Sequence, residues 1–516
     1  MRRVLTKYLR LPSPGRSEAG ALLSRRPALV GGLLLVLMLL TGLGWAVSSP
    51  VESSPDDNYH LGSIWCPRPS GESCQTSVVD GDPVVRVPIA VADESMRCYV
   101  LQSNKSAGCA LGYDDSHMVW SKRFDNGAYP IGYYHFHHLL VGKDVQTSVL
   151  VMRGVNVLIA VAVLGAVGLC APQGLRRPFI GAIVASWVPM GVYFIASNNP
   201  SSWAVSGLMA YSSATYMATQ QKGRRRIALV LCAVIGAVMC LTSRYDAAFF
   251  LLVVGLALLF VVPWKRGGWI GLSALAGVAV LGGVTFMASS QVSKVAYFLR
   301  VFETSDPATS ADKQPFFEKL LVGLETAPKY LGGFWGHTWT PGWHDVPLGA
   351  RAPYVLTIMV AGAFVAISLR RGGWRKWTAL MILVGSMCLL PALFYANGAM
   401  DTIELYQARY IFPLLAPTFF LMLAVDQDED AWFTVPQAVW VTVCISLCQT
   451  ITLHTLLLRF VQGANERWEL NLNKNIEWWW SAPVSPMMVW FLTTCLATAA
   501  LGTSMAMLTR TAEKHA

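Results

Sequence analysis

Residues 28–60 read ALVGGLLLVLMLLTGLGWAVSSPVESSPDDNYH, an apolar run over 28–48 that passes through a short polar linker into the carboxylate pair Asp56-Asp57. A helix rises about 1.5 Å per residue and the hydrocarbon layer of a bilayer is about 30 Å thick, so this run is long enough to cross a membrane. It is too long for the core of a signal peptide and no convincing small-residue cleavage site ends it, which makes it a retained anchor. The same reading carried outward finds further apolar runs at 148–170, 179–196, 203–219, 227–242, 247–264, 270–288, 354–369, 377–396, 410–425, 435–458 and 487–508. Composition agrees. Of 516 residues, 54% are hydrophobic and 14% charged, against roughly 25% charged in an average soluble protein. Such a chain cannot hide its apolar surplus in water-soluble cores, and 11% aromatic content speaks against disorder. A soluble globular enzyme, a fibrous protein and a disordered scaffold are excluded. The expectation is an all-α polytopic membrane protein of about twelve transmembrane helices.

Lys and Arg set the orientation. The first 27 residues carry Arg2, Arg3, Lys7, Arg10, Arg16, Arg25 and Arg26. Alternate connections are basic as well: Arg176-Arg177, Lys222 with Arg224-Arg225-Arg226, Lys265-Arg266, and Arg370-Arg371 with Arg375-Lys376. With twelve spans all of these share one side, so that side and both termini are expected to be cytoplasmic. The net charge of +10 is then a topology signal rather than a nucleic-acid patch. This gives a basic cytoplasmic N-terminus (1–27), a first span (28–48), an extracytoplasmic loop domain (49–147), spans two to seven (148–288), a second outer loop (289–353), spans eight to twelve (354–508) and a short cytoplasmic tail (509–516). The span at 203–219 carries Ser212, Ser213, Thr215 and Tyr216, which suits a bundle-buried or re-entrant helix. In the outer segments, 84–91 reads as β-like and 316–324 as an amphipathic piece that could lie on the membrane surface.

Seven of the eleven Cys fall in spans, where a thiol behaves as a small apolar group. Cys66, Cys74, Cys98 and Cys109 all fall in the first outer segment. An even count in an oxidising compartment favours two disulfides bracing the loop, with 66–74 and 98–109 the pairing by proximity. Zinc is the rival, but no spacing is a CxxC pair.

Polar groups cluster at the outer ends of spans in four places: Ser53–His60, Ser197–Ser202, Thr242–Ala247 and Glu404–Tyr410. Together they read as the rim of one cavity. Each has a plainer reading: Asp56-Asp57 as a helix cap, Asn198–Ser202 as an ordinary helix start, Arg244 and Arg409 as membrane-edge anchors. Arg at an outer helix end runs against the positive-inside bias, however, and two of them favour a bound anion. His135, His137 and His138 resemble a metal cluster without a carboxylate or Cys to complete it, so no metal set is assigned. Trp478-Trp479-Trp480 reads as an interfacial belt or, more sharply, a sugar-stacking platform. As a set, these groups suit transfer of a sugar from a lipid-linked phosphate. A carboxylate can serve as general base for a hydroxyl, and Arg can hold the charge of a phosphate leaving group.

At these residues the chain resembles the bacterial polytopic proteins grouped as domain of unknown function 2142, in an actinobacterial branch, which look related to the GT-C membrane glycosyltransferases. Asp56-Asp57-Asn58-Tyr59-His60 is similar to an Asp-acidic-x-x-His element, and Tyr129-Pro130 with Tyr133-Tyr134 to a Tyr-Pro-x-x-Tyr-Tyr element. Asn199-Pro200-Ser201 is similar to an Asn-Pro-Ser element, and Gln407-Ala408-Arg409-Tyr410-Ile411-Phe412-Pro413 to a Gln-x-Arg-Tyr-x-x-Pro element. The resemblance implies a GT-C-like fold and an acidic base in the first outer loop, Asp56 or Asp57, with His60 orienting the acceptor. Arg244 and Arg409 would hold the donor phosphate, and Asn199, Tyr410, Asp246, Gln407 and Tyr129 would line the pocket. The adjacent carboxylates differ from the Asp-x-Asp of metal-dependent members, so no cofactor is firmly implied and a divalent metal stays open. The implied partners are a polyprenyl-phosphate sugar donor, a cell-envelope glycan or lipid acceptor and the bilayer, with no nucleic acid. A flippase for lipid-linked saccharides and a non-enzymatic wall-assembly partner are the alternatives.

Overall fold

The computed structural model describes residues 27–92, 98–287, 310–348, 352–369, 371–398, 400–427, 432–464 and 469–509. The basic residues of the first 26 positions, and most of the C-terminal tail, lie outside them. A helix occupies each of the twelve expected positions: α1 (Pro27–Ala46), then, after the short helices α2 (Asp57–Trp65) and α3 (Gly132–His138), α4 (Val145–Cys170), the pair α5 (Gln173–Ser186) and α6 (Pro189–Ile195), α7 (Ser201–Ala218), α8 (Gly223–Ser243), α9 (Tyr245–Val261) and α10 (Trp264–Met287). The segment after α10 contributes α11 (Ser310–Thr326) and α12 (Pro328–Gly333). Then follow α13 (Ala352–Ser368), α14 (Trp374–Ala396), α15 (Ala408–Ile411) leading to α16 (Leu415–Ala424), α17 (Val435–Val461) and α18 (Pro486–Met507).

Length and apolar character together separate these helices. Among the described residues, six are long and apolar enough to cross a membrane: α1, α4, α8, α14, α17 and α18. The α5–α6 pair makes a seventh if counted as one span, and it is bent by 89°. The single span expected at 179–196 is therefore broken, and the cause is local. Pro189 has no N–H to continue α5, and Val188 before it is extended (φ −85°, ψ 165°), as residues preceding proline tend to be. At 410–425 the chain stays helical instead: Phe412 before Pro413 keeps φ −53° and ψ −36°, and only a 3-10 turn over Phe412–Leu414 lies between α15 and α16. Helix α7 takes the bundle-buried option: nearly every residue is buried, and Ser206 and Ser213 donate to the carbonyls of Ser202 and Met209 at 2.7 and 2.6 Å, so their hydroxyls need no water.

Helices α7 and α8 cross at two glycines. A Cβ on Gly236 would lie 2.5 Å from the Gly207 carbonyl oxygen, and one on Gly207 would lie 2.7 Å from that of Gly236. Small residues allow backbones in a membrane to approach this closely. Gly236→Val is expected to force the pair apart at a cost of about 1–3 kcal/mol, read as a lower Tm of the purified protein in detergent. An unchanged Tm would contradict the crossing.

The segment between α1 and α4 folds as a small α+β unit. Strands β1 (Thr76–Val79), β2 (Asp82–Pro88) and β3 (Met118–Ser121) form an antiparallel sheet in that order. Asp80-Gly81, both with positive φ, make the two-residue β1–β2 turn, the geometry for which Asp-Gly is favoured. The β-like reading of 84–91 runs too far, since the strand stops at Pro88 and Ile89–Ala92 is a helical turn. The Cys pairs are 66–74 and 98–109. The Cys98–Cys109 loop is held to the end of α17 by Arg459, fully buried, which donates to the carbonyls of Tyr99 and Lys105 and pairs with Asp345 at 2.7 Å. The tryptophan run is not a lipid-facing belt. Trp478 and Trp480 are buried, and Trp480 Nε1 donates to the Val47 carbonyl at 2.7 Å, packing the connection between α17 and α18 onto the end of α1. The three histidines diverge: His135 meets the Arg68 carbonyl, His137 the Asn156 amide and His138 the Ile64 carbonyl.

Candidate functional site

The four polar clusters meet. Asp56 sits at the N-cap of α2 with φ 63°, the left-handed region, a conformation that costs most residues on the order of 1–3 kcal/mol and that gathers at functional sites. An N-cap Asp ordinarily accepts from the first turn of its helix, yet this one makes no capping bond. Its Oδ2 instead accepts from Arg409 Nη2 at 2.5 Å, and Arg123 Nη2 lies 3.7 Å from Oδ1. Arg409 is itself buried and also donates to the Pro55 carbonyl at 3.0 Å. The Asp56 side chain keeps 37% of its surface exposed, so the ion pair opens to solvent on the carboxylate side.

Arg244, in the turn between α8 and α9, is buried and held from two sides. Its Nε and Nη2 donate to Asp246 at 2.8 and 2.5 Å, and its Nη1 donates to Ser201 Oγ at 2.9 Å. The Tyr410 ring stands between the two cations, 5.0 Å from the Arg409 guanidinium and 5.3 Å from that of Arg244, and Tyr129 lies 6.0 Å from Arg244. Asn199, fully buried, donates to the Pro55 carbonyl at 3.3 Å while its Oδ1 accepts from Ser201 N at 2.9 Å. It therefore fixes the start of α7 against the Asp56 loop rather than lining a pocket, and the plain reading of 198–202 as a helix start holds for it. Gln407 lies on the inner side of Arg409, with His344, Phe194 and Phe412 around a closed recess that has no room for a water molecule.

The two adjacent carboxylates part company. Asp57 is fully buried, and its Oδ2 accepts from Ser54 N at 3.3 Å and lies 3.6 Å from Arg153 Nη2. Arg153, also buried, donates to the carbonyls of Ser49 and Pro50 at 2.6 and 2.7 Å, so Asp57 belongs to the anchor that ties α4 to the linker after α1. The electrostatics follow the geometry. Burial raises the Asp57 carboxyl above the ordinary carboxylate value, and Arg153 offsets only part of that. Burial also pushes Asp56 upward, but the charges of Arg409 and Arg123 outweigh it and hold the group low. Asp56 is thus ionised at neutral pH. For Arg244, burial works against the charge and Asp246 overrides it, so the cation is kept.

His60 is buried beneath this layer. Nδ1 is 2.9 Å from Tyr134 OH, and its ring meets Tyr129 edge-on at 5.2 Å. Burial lowers it to about 3, so it is a neutral imidazole across the working range. The imidazole NMR shifts of His60 are expected to stay constant between about pH 5.5 and 7.5, where an unperturbed His would titrate. An inflection near 6.5 that vanishes in His60→Gln would contradict a neutral His60.

Asp125, Arg68, Arg123 and Arg153 were not anticipated as site groups. Asp125 accepts from Tyr59 OH at 3.0 Å, from Arg68 Nε at 2.8 Å and from the Tyr129 backbone N–H at 3.0 Å, shaping the loop that presents Tyr129. Among the described residues, no group of three or more His, Cys, Asp or Glu stands where it could hold a metal ion.

Many apolar helices with one polar site on a shared rim define a multi-pass membrane protein with a built ionic centre. The family model described as "Predicted membrane protein (DUF2142)" matches residues 39–418, well over half of the chain and all four clusters. The protein belongs to this family. No curated protein and no solved structure gives a match.

Proposed function

We propose that the protein is a GT-C-type glycosyltransferase of the cell membrane, with twelve crossings, both termini cytoplasmic and its active face extracytoplasmic. It would move a sugar from a polyprenyl-phosphate donor to a cell-envelope glycan or glycolipid. The observation that carries this reading is the ionised, partly exposed Asp56 paired with Arg409, with Arg244 on the far side of the Tyr410 ring. Arg123, Arg244 and Arg409 outnumber Asp56 and Asp246 there, which leaves positive charge for an anionic group.

The ion pair suggests an order of events. A donor phosphate reaching Arg409 competes with Asp56 for the guanidinium and frees the carboxylate. Asp56 then accepts the proton of the acceptor hydroxyl as its oxygen attacks the anomeric carbon, and the bond from that carbon to the phosphate oxygen breaks. Polyprenyl phosphate leaves with the bonding electrons, its charge held by Arg409 and Arg244. Charge-assisted bonds of this kind contribute about 1.5–3 kcal/mol each. Neutral His60 and Tyr129 form the wall beneath the acceptor. The donor tail stays in lipid, which explains placing such a reaction on a polytopic chain.

Photolabelling tests the donor site. A radiolabelled polyprenyl phosphate carrying a benzophenone near its head group should label peptides around 244–249 and 404–412, and unlabelled polyprenyl phosphate should suppress the label. Labelling spread evenly over the spans, or indifferent to competitor, would remove the basis for the reading.

A further inference from the structure

The outer domain carries an open groove of about 580 Å³ that none of the four motifs predicts. It runs between the turn at Arg68–Ser70, the β1–β2 hairpin and the loop at 124–131, and its size falls in the range of about 300–1,000 Å³ usual for small-ligand sites. We propose that this groove binds the sugar chain of a glycan, and that the glycan is the acceptor of the transfer; the second half rests on the transferase reading above.

Three observations point to a carbohydrate. First, the polar wall presents planar groups, the Arg68 guanidinium, 31% exposed and fixed in orientation by the buried Asp125 behind it, and the exposed Asn126 amide, with the hydroxyls of Thr76 and Ser77 also lining the groove. Planar pairs of donors and acceptors match vicinal hydroxyls, as a guanidinium fork matches a carboxylate. Second, the remaining lining apart from Ser70 is apolar, with Ile131 47% exposed, which suits the C–H face of a pyranose. Third, the groove adjoins the ionic centre. Arg123 precedes Phe124 and Asp125 of the groove wall, lies 3.7 Å from Asp56, and stands over the Tyr59 ring at 5.5 Å. Tyr59, one turn beyond Asp56 on α2, donates to the same Asp125 that pairs with Arg68. A chain lying in the groove would end beside the one carboxylate placed to take a proton from its terminal hydroxyl. The groove is open rather than enclosed, as an extended polymer requires.

The test is direct binding, which does not depend on turnover. Fluorescently labelled full-length protein in lipid nanodiscs would be applied to an array of defined mannan, arabinan, galactan and glucan oligosaccharides and of extended peptides. Wild type is expected to retain at least one glycan series. Ser77→Trp, which fills the groove from an exposed strand position, is expected to weaken that retention at least tenfold without moving the Tm, and Ser77→Ala to keep it. Retention of no glycan, equal retention by Ser77→Trp, or retention of peptides alone, as a strand added to the exposed β1 edge would give, overturns the proposal. Glycan binding lost in Ser77→Trp by a protein that transfers no sugar from any donor would leave the groove's ligand standing and remove the transferase reading instead.

Discussion

Asp56→Asn is expected to abolish sugar transfer, by about a thousandfold or more, in a protein that still folds. General-base catalysis contributes about 10²–10⁴, and Asn keeps the shape and a hydrogen-bond acceptor for Arg409 but cannot take a proton. The fold should tolerate the change because Asp56 is partly exposed and caps nothing. Stability should nevertheless change with pH. A carboxyl held below its ordinary value stabilises the folded state above the unfolded value and loses that contribution as pH falls through the folded value. The variant should therefore lack part of the wild type's acid-side loss of stability. The neighbouring variant separates the roles. Asp57 has its carboxyl raised by burial, so the folded state binds its proton more tightly, and the charged form at neutral pH is a cost to folding. Asp57→Asn should hold or raise the Tm at pH 7 and keep most of the transfer. Loss of transfer in Asp57→Asn with full activity in Asp56→Asn would reverse the assignment.

Arg409→Ala is the second large effect. Its guanidinium holds Asp56 and the Pro55 carbonyl at once, and it leans on the ring shared with Arg244. Loss of one charge-assisted contact of about 1.5–3 kcal/mol corresponds to roughly 10- to 150-fold weaker donor binding. The acceptor KM should move much less. Arg409→Lys keeps the charge but not the fork, and should recover only part of the loss. Equal effects on donor and acceptor would mean that Arg409 only supports the Asp56 loop.

Much of the site was legible because its residues are anomalies. Arg244 and Arg409 are cations at the ends of apolar runs, and Asp56-Asp57 follow the apolar run of α1 closely. Their convergence could be expected from the number of polar clusters on one rim, and the structure joins them through Pro55, Ser201 and Tyr410. What could not be read was which way each side chain points. Asp56 and Asp57 are adjacent in sequence, and the left-handed turn at Asp56 is what sends one to Arg409 and the other to Arg153. Arg153 did carry a signal, since it lies inside the apolar run 148–170, where a charge is expensive unless partnered. The Arg459–Asp345 pair and the Asp125 hub link segments far apart in the chain, and nothing local announces them. The helices were visible as apolar runs. Pro189 within one of them marked a break, and reading that proline as part of a continuous span hid the 89° bend.

The most direct measurement is transfer of radiolabel from defined polyprenyl-phosphate sugars to a cell-envelope glycan extract by the purified protein in proteoliposomes, with and without chelator. The account predicts label in the glycan from at least one donor, lost in Asp56→Asn. No transfer from any donor, with lipid-linked saccharide instead changing leaflets in the same vesicles, would contradict it and make the protein a flippase.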